Sequence, residues 1–232
     1  MDPRPSKEQI AAEQAKYQEA VKYMEEKNRL IESNDLKSMS SRSSKTNLIG
    51  NFKQNCSYTC GPASARNLIK GYVDANNYSN VPTEATLAST DYLQTTTSGT
   101  SFEDRVWQHT LYEFAPGQLY YVVWGSGSRE QWKGEVKTRV NSTLDKRVYW
   151  YPASKYVDNF NVIANLYYTN GTQYPIYPYY DLTVVRHYVT VYGYNNNTEI
   201  YKIADSNNSV PMYFETDYVC LSESVKGRGI IW

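Results

Sequence analysis

Residues 187–206 read HYVTVYGYNNNTEIYKIADS, and no other tract limits the architecture as strongly. His187, Val189 and Val191 alternate with Tyr188, Thr190 and Tyr192 up to Gly193, the period of a strand built from β-branched and aromatic residues. Asn195, Asn196 and Asn197 supply a turn, after which Tyr201, Ile203 and Asp205 share one face of a second strand. If the two strands fold back as a hairpin, Asp205 returns to the end of the ladder where His187 begins. Further strands are expected in PIYPYY from Pro175 and in the closing GIIW. Upstream, residues 82–170 read mainly helical, with candidate helices at 83–92, 101–114, 129–144 and 156–169; LYYVVW from Leu119 fits strand or helix. Helices first and strands later predict an α+β fold with a cleft between two lobes.

The chemistry is concentrated in QNCSYTCGPASARNLI, residues 54–69. Gly61 and Pro62 suit a first helical turn, and Ala65, Leu68, Ile69 and Tyr72 recur at helical spacing, so Cys60 opens a helix with one buried face. A thiol at a helix N-terminus lies in the positive end of the macrodipole, which predicts a pKa lowered from about 8.5. Gln54 falls in a turn or loop, where its amide and the Cys60 N–H can form an oxyanion hole. A lone cysteine is more often a small buried hydrophobe, but Cys60 precedes the apolar stripe of its helix.

A thiol needs a base, and the chain has only two histidines, His109 and His187. His109, in SFEDRVWQHTLYEF, reads as a packing or solvated residue of a helix. His187, at the start of a strand anchored by valines, can project into a cleft. Asp205 is the expected partner that orients its ring, with Asn207 a rival for that role.

Taken together, the glutamine six residues before CGPA, the distant HYVTVYGY and the following IADS resemble papain-like cysteine peptidases of the bacteriocin-processing, double-glycine-leader type (family C-thirty-nine) and their freestanding bacterial relatives. The resemblance covers residues 46–232. It implies a two-lobed papain-like fold, a helical N-terminal lobe followed by an antiparallel β lobe. It also implies Gln54 as oxyanion-hole donor, Cys60 as nucleophile, His187 as general base and acid, and Asp205 as orienter. Ser206 stands where such relatives often carry proline, and double-glycine specificity does not carry over, since no ATP-binding or membrane-spanning segment adjoins. The expected activity is peptide hydrolysis through a thioester. Alternatives on the same residues are acyl transfer to an amine, cell-wall peptide hydrolysis, or an inactive papain-like binding domain.

Residues 1–45 stand apart. Over 6–33, Ile10, Tyr17, Val21, Met24 and Ile31 recur at helical intervals in a Glu-, Lys-, Ala- and Gln-rich background, predicting one long amphipathic helix. SMSSRSSK marks a flexible linker that ends near Thr46. The helix either packs on the domain or a partner, or is a pro-segment that shields the cleft. With 24 basic and 24 acidic residues the net charge is zero, which gives no electrostatic case for nucleic acid. No stretch approaches the roughly 20 apolar residues that span a bilayer, and MDPRPSKEQ has no apolar signal core. The 24 tyrosines, with abundant Asn, Ser and Thr, suit a secreted or cell-surface bacterial protein, and a cytoplasmic one is compatible too. Those at 167, 168, 174, 177, 179 and 180 read as half-buried β-face residues or as the lining of a substrate groove. Three cysteines make no disulfide framework; Cys56 and Cys220 either pair or stay as two buried thiols. No Cys/His spacing suits zinc, so neither metal nor cofactor is expected, and the expected partner is a peptide or protein substrate.

Overall fold

The structure is a computed structural model that describes residues 43–102, 104–115, 122–123, 136–137, 140, 144–145, 156–157, 159–169, 184–225 and 228–231. The unit concerned is Ser44–Trp232. The helix expected over 6–33, nearly all of the helix expected over 129–144, and PIYPYY lie outside the described residues.

In chain order the elements are β1 (Ser44–Thr46), α1 (Cys60–Asn76), α2 (Glu84–Ala88), α3 (Asp104–Phe114), β2 (Val122–Val123), β3 (Leu144–Asp145), β4 (Tyr156–Val157), β5 (Val162–Thr169), β6 (Val184–Asn195), β7 (Ile200–Ala204), β8 (Tyr213–Asp217), α4 (Tyr218–Val225) and β9 (Ile230–Ile231). Among the described residues, one sheet runs in the order β2-β9-β5-β6-β7-β8, every pair antiparallel, and β1 adds to it by pairing with β6. The result is a mixed fold of helices and antiparallel sheet.

The expected hairpin forms, with β6 and β7 joined by a turn over residues 196–199. Its ladder carries a bulge between Val191 and Gly193, so β6 does not stop at Gly193 but continues to Asn195. Gly193 is needed there because β1 crosses close: a Cβ would lie 2.7 Å from the Lys45 carbonyl oxygen. Ser44–Thr46, expected as the end of a linker, are thus a strand paired with Gly193–Asn195.

A larger departure concerns residues 156–169, expected as a helix. They hold β4 and β5, and β5 pairs with β6 from Val162–Val191 to Thr169–Val184. Each of Val162, Ile163, Ala164, Asn165 and Leu166 is buried, so the sequence lacks the polar alternation that marks a half-buried strand. Val122–Val123, within the ambiguous LYYVVW, are strand. The 83–92 helix starts as expected, with the Thr83 side chain accepting the Thr86 N–H, but ends at Ala88, where Ser89 becomes extended. The core joins the apolar face of α1 (Ala65, Leu68, Ile69, Tyr72) to Leu87, Leu93, Trp107 and Leu111 and to Ile163, Tyr188 and Ile231 of the sheet.

Candidate active site

Two loops meet at the site, and both are fixed by buried polar groups. Asn67, fully buried on α1, accepts the Phe52 N–H through Oδ1 at 2.8 Å and donates through Nδ2 to the Phe52 carbonyl at 3.0 Å. That grip sets the path of the chain into Lys53 and Gln54. The Gln54 N–H then donates to the Ser206 carbonyl at 2.8 Å, and Asn208 Nδ2 donates to the Gln54 carbonyl at 2.9 Å. The segment before Cys60 is therefore bound to the loop that follows β7.

At the end of the hairpin the His187 ring Nε2 lies 2.8 Å from Asp205 Oδ1. The expected return of Asp205 to His187 is met in geometry. Asp205 Oδ1 also accepts the Asn207 N–H at 2.6 Å, while Oδ2 is buried without a partner. The Asn207 side chain accepts the Ser209 N–H at 2.8 Å, so Asn207 supports the Asp205 carboxylate through its backbone. Burial pushes the Asp205 carboxyl up to about 7, against the Asn207 N–H and the Lys53 charge, both of which favour the carboxylate. Burial likewise pushes His187 down to about 4, and Lys53 adds to the fall. The imidazole is therefore neutral at pH 7. With Nε2 turned to Asp205, Nδ1 is the nitrogen left to accept a proton.

Cys60 is the first residue of α1, as expected, and only 7% of it is exposed. The Thr59 hydroxyl does not cap the helix; it donates to the Cys56 carbonyl at 2.9 Å and accepts the Cys56 N–H at 3.1 Å. The helix terminus thus keeps N–H groups for the thiol, and those of Tyr188, Gly61 and Cys60 itself all favour its anion. Burial outweighs them and pushes the thiol up to about 11. The lowered pKa expected from the macrodipole is not what this buried thiol has. Gly61 leaves no room for a side chain, since an added Cβ would overlap the Thr100 side chain.

Helix α1 is fastened to the histidine strand. Ser64, one turn after Cys60, donates to the Tyr188 carbonyl at 2.9 Å, and Thr190 donates to the Ser64 carbonyl at 3.1 Å, both bonds buried. The first turns of the helix that Cys60 opens are thereby bonded to the strand that carries His187.

Gln54 is buried and its amide is held from both ends. Nε2 donates to the Cys56 carbonyl at 2.9 Å and Oε1 accepts the Ser206 hydroxyl at 3.1 Å. An amide nitrogen carries two hydrogens, so one such bond leaves a second. Lys53 and Asn67 went unread in the sequence, and Ser206 was noted only as standing where proline is frequent: their parts depend on loop contacts of 15 to 157 residues in separation, for which no local pattern exists.

His109 is exposed and stacks on Tyr92 with ring centroids 5.9 Å apart. All three cysteines are free, Cys56 exposed and Cys220 half-buried, so neither expected arrangement of that pair is present. Among the described residues, no group of three or more His, Cys, Asp or Glu side chains converges to hold a metal, and no helix is long and apolar enough to cross a membrane.

No family model and no curated protein matches this chain. Among solved structures it is similar to xylellain, a cysteine protease from Xylella fastidiosa, at 12% identity and a TM-score of 0.47 over 84% of this chain and 87% of that one.

Proposed function

We propose that the chain is a papain-like, two-lobed cysteine peptidase that hydrolyses peptide bonds with Cys60, His187, Asp205 and Gln54. The observation that carries this reading is the buried contact of 2.8 Å between His187 and Asp205, on a strand bonded to the first turns of the helix that Cys60 opens. It supports the reading because an imidazole oriented by a carboxylate, on a strand bonded to the helix of a candidate thiol, is what thiol acyl-transfer chemistry requires.

At rest the thiol is protonated and the imidazole neutral. Attack therefore couples two events: the sulfur bonds to the substrate carbonyl carbon while the thiol proton passes to His187 Nδ1. The Cys60 N–H and the second Gln54 amide N–H stabilise the oxyanion. Asp205 steadies the imidazolium, which gives its proton to the leaving amine and frees a thioester. His187 then takes a proton from water as that water attacks the thioester, and returns it to the departing thiol.

Cys60→Ala is expected to abolish peptide hydrolysis and labelling by a thiol-directed peptide electrophile, whereas Cys56→Ala retains both. Equal labelling of the two variants would overturn the assignment. One observation favours a binding domain without catalysis: Cys60 is 7% exposed and its thiol is protonated at rest. Cys60-independent peptide binding, with no hydrolysis by the unaltered chain, would establish that second reading.

A further inference from the structure

Lys53 is the residue the reaction above does not use. Its ammonium donates to the carbonyls of Asp205 at 3.1 Å, Asn207 at 2.6 Å and Val210 at 2.8 Å. An ammonium has three donors, so these bonds use all of them. The acceptors are the backbone of the loop that bears the orienting carboxylate, and the donor immediately precedes Gln54. Lys53 lies half-buried, which removes much of the water that would otherwise solvate it.

Two consequences follow, one geometric and one electrostatic. The three bonds clamp the loop from Asp205 to Val210, together with its internal bonds (the Asn207 N–H on Asp205, the Ser209 N–H on Asn207, the Val210 N–H on the Asn207 carbonyl) and the bonds of Ser206 and Asn208 to Gln54. They therefore fix the backbone from which the Asp205 side chain reaches His187. In addition, the Lys53 ammonium, whose pKa burial lowers, sets a positive charge beside the pair whose imidazole takes up and releases the proton. It favours the Asp205 carboxylate and adds to the effect of burial in disfavouring an imidazolium.

We propose that Lys53 is a positioning residue for this site: it clamps the loop that carries Asp205 and sets its ammonium beside the His187–Asp205 pair. The proposal rests on the peptidase reading and deepens it. Among the described residues, Asp205 beyond β7 meets the His187 ring and the Lys53 charge acts on it from the loop before Gln54; the residue opposite on β5 is Leu166.

The chain's only two histidines make the test direct. In a His109→Gln background, which alters an exposed ring on Tyr92, the His187 imidazole gives the only histidine signal in a proton-carbon NMR titration. Lys53→Met is expected to move that titration up by about one pH unit. Asp205 is already protonated where His187 titrates, so loss of the cation acts on the imidazole directly. Lys53→Arg, which keeps a charge and donors, should titrate like the unaltered protein. Hydrolysis should separate the same way, with kcat of Lys53→Met down about tenfold, KM within about twofold, and Lys53→Arg largely restored. Should Lys53→Met fail to fold, Lys53→Gln retains an amide donor without charge and should show the same upward shift. An unchanged His187 titration in the folded uncharged variant, or a Lys53→Arg protein that behaves like Lys53→Met, would overturn the proposal. Hydrolysis that survives Cys60→Ala would defeat the peptidase reading alone, because the imidazole titration does not depend on turnover.

Discussion

His187 and Asp205 are both buried and shifted in opposite senses, which makes their contributions to stability separable by pH. Asp205 is raised from 3.8 to about 7; its contribution is fully present below the unfolded value and is lost as pH rises through about 7. His187 is lowered from 6.5 to about 4; its contribution is present above the unfolded value and is lost as pH falls through about 4. Between pH 4 and 6.5 the two slopes oppose each other, and the unaltered protein should show a nearly flat Tm. His187→Gln leaves only the Asp205 slope, so its Tm should fall as pH rises from about 4 to about 7. Asp205→Asn leaves only the His187 slope, so its Tm should rise from about 4 to 6.5. Slopes of the same sign in both variants would show that the pair does not titrate as described. The four candidate residues stood out in the sequence because each was read at a marked place, a loop before a helix, a helix start, a strand start and a strand end; in the structure β6 already begins at Val184, so His187 is its fourth residue, and Asp205 follows the last residue of β7. The electrostatics were not legible, because the macrodipole is a local feature, whereas burial of Cys60 comes from strands and loops far along the chain.

Elements carry the alignment of that chemistry, and here the joint between α1 and β6 is decisive. Ser64 and Thr190 bridge them through two buried bonds, one in each direction. Ser64→Ala removes a donor from the buried Tyr188 carbonyl, at a cost of about 1–2 kcal/mol to stability. Because Tyr188 follows His187 and Ser64 lies one turn after Cys60, the loosened joint should also lower kcat/KM by about tenfold. Urea denaturation and peptide hydrolysis measure the two effects; reduced stability with unchanged kcat/KM would mean that other contacts align the nucleophile. Periodicity exposed these elements unequally. Strand β6 was readable because polar Thr190 breaks its apolar run and a turn follows it. Strand β5 was not, because VIANL is buried on every residue, and Val162 with Leu166 and Thr169 mimics helical spacing.

At the scale of the whole molecule, the sheet is assembled from distant parts of the chain, and one flank of it is made by its shortest members. Strand β9 is only Ile230–Ile231, yet it lies between β2 and β5, pairing Ile231 with both Val122 and Ile163. A two-residue strand adds few backbone bonds, so its weight must come from side chains. Both isoleucines are fully buried, and Ile231 joins the core shared by Leu68, Ile69 and Trp107. That core backs the helix opened by Cys60, so a defect at Ile231 should spread to the site through packing. Ile231→Ala removes most of a buried side chain and leaves a void, a change that costs about 2–5 kcal/mol. Domains of this kind have about 5–15 kcal/mol in hand, so the variant should remain folded at 25 °C but lose a large share of its margin. Urea unfolding followed by tryptophan fluorescence should show one transition at lower urea with an unchanged slope. Ile231→Val should cost about 1 kcal/mol, because it keeps the β-branched packing. A loss below 1 kcal/mol for Ile231→Ala would mean that β9 lies on the sheet without bracing it.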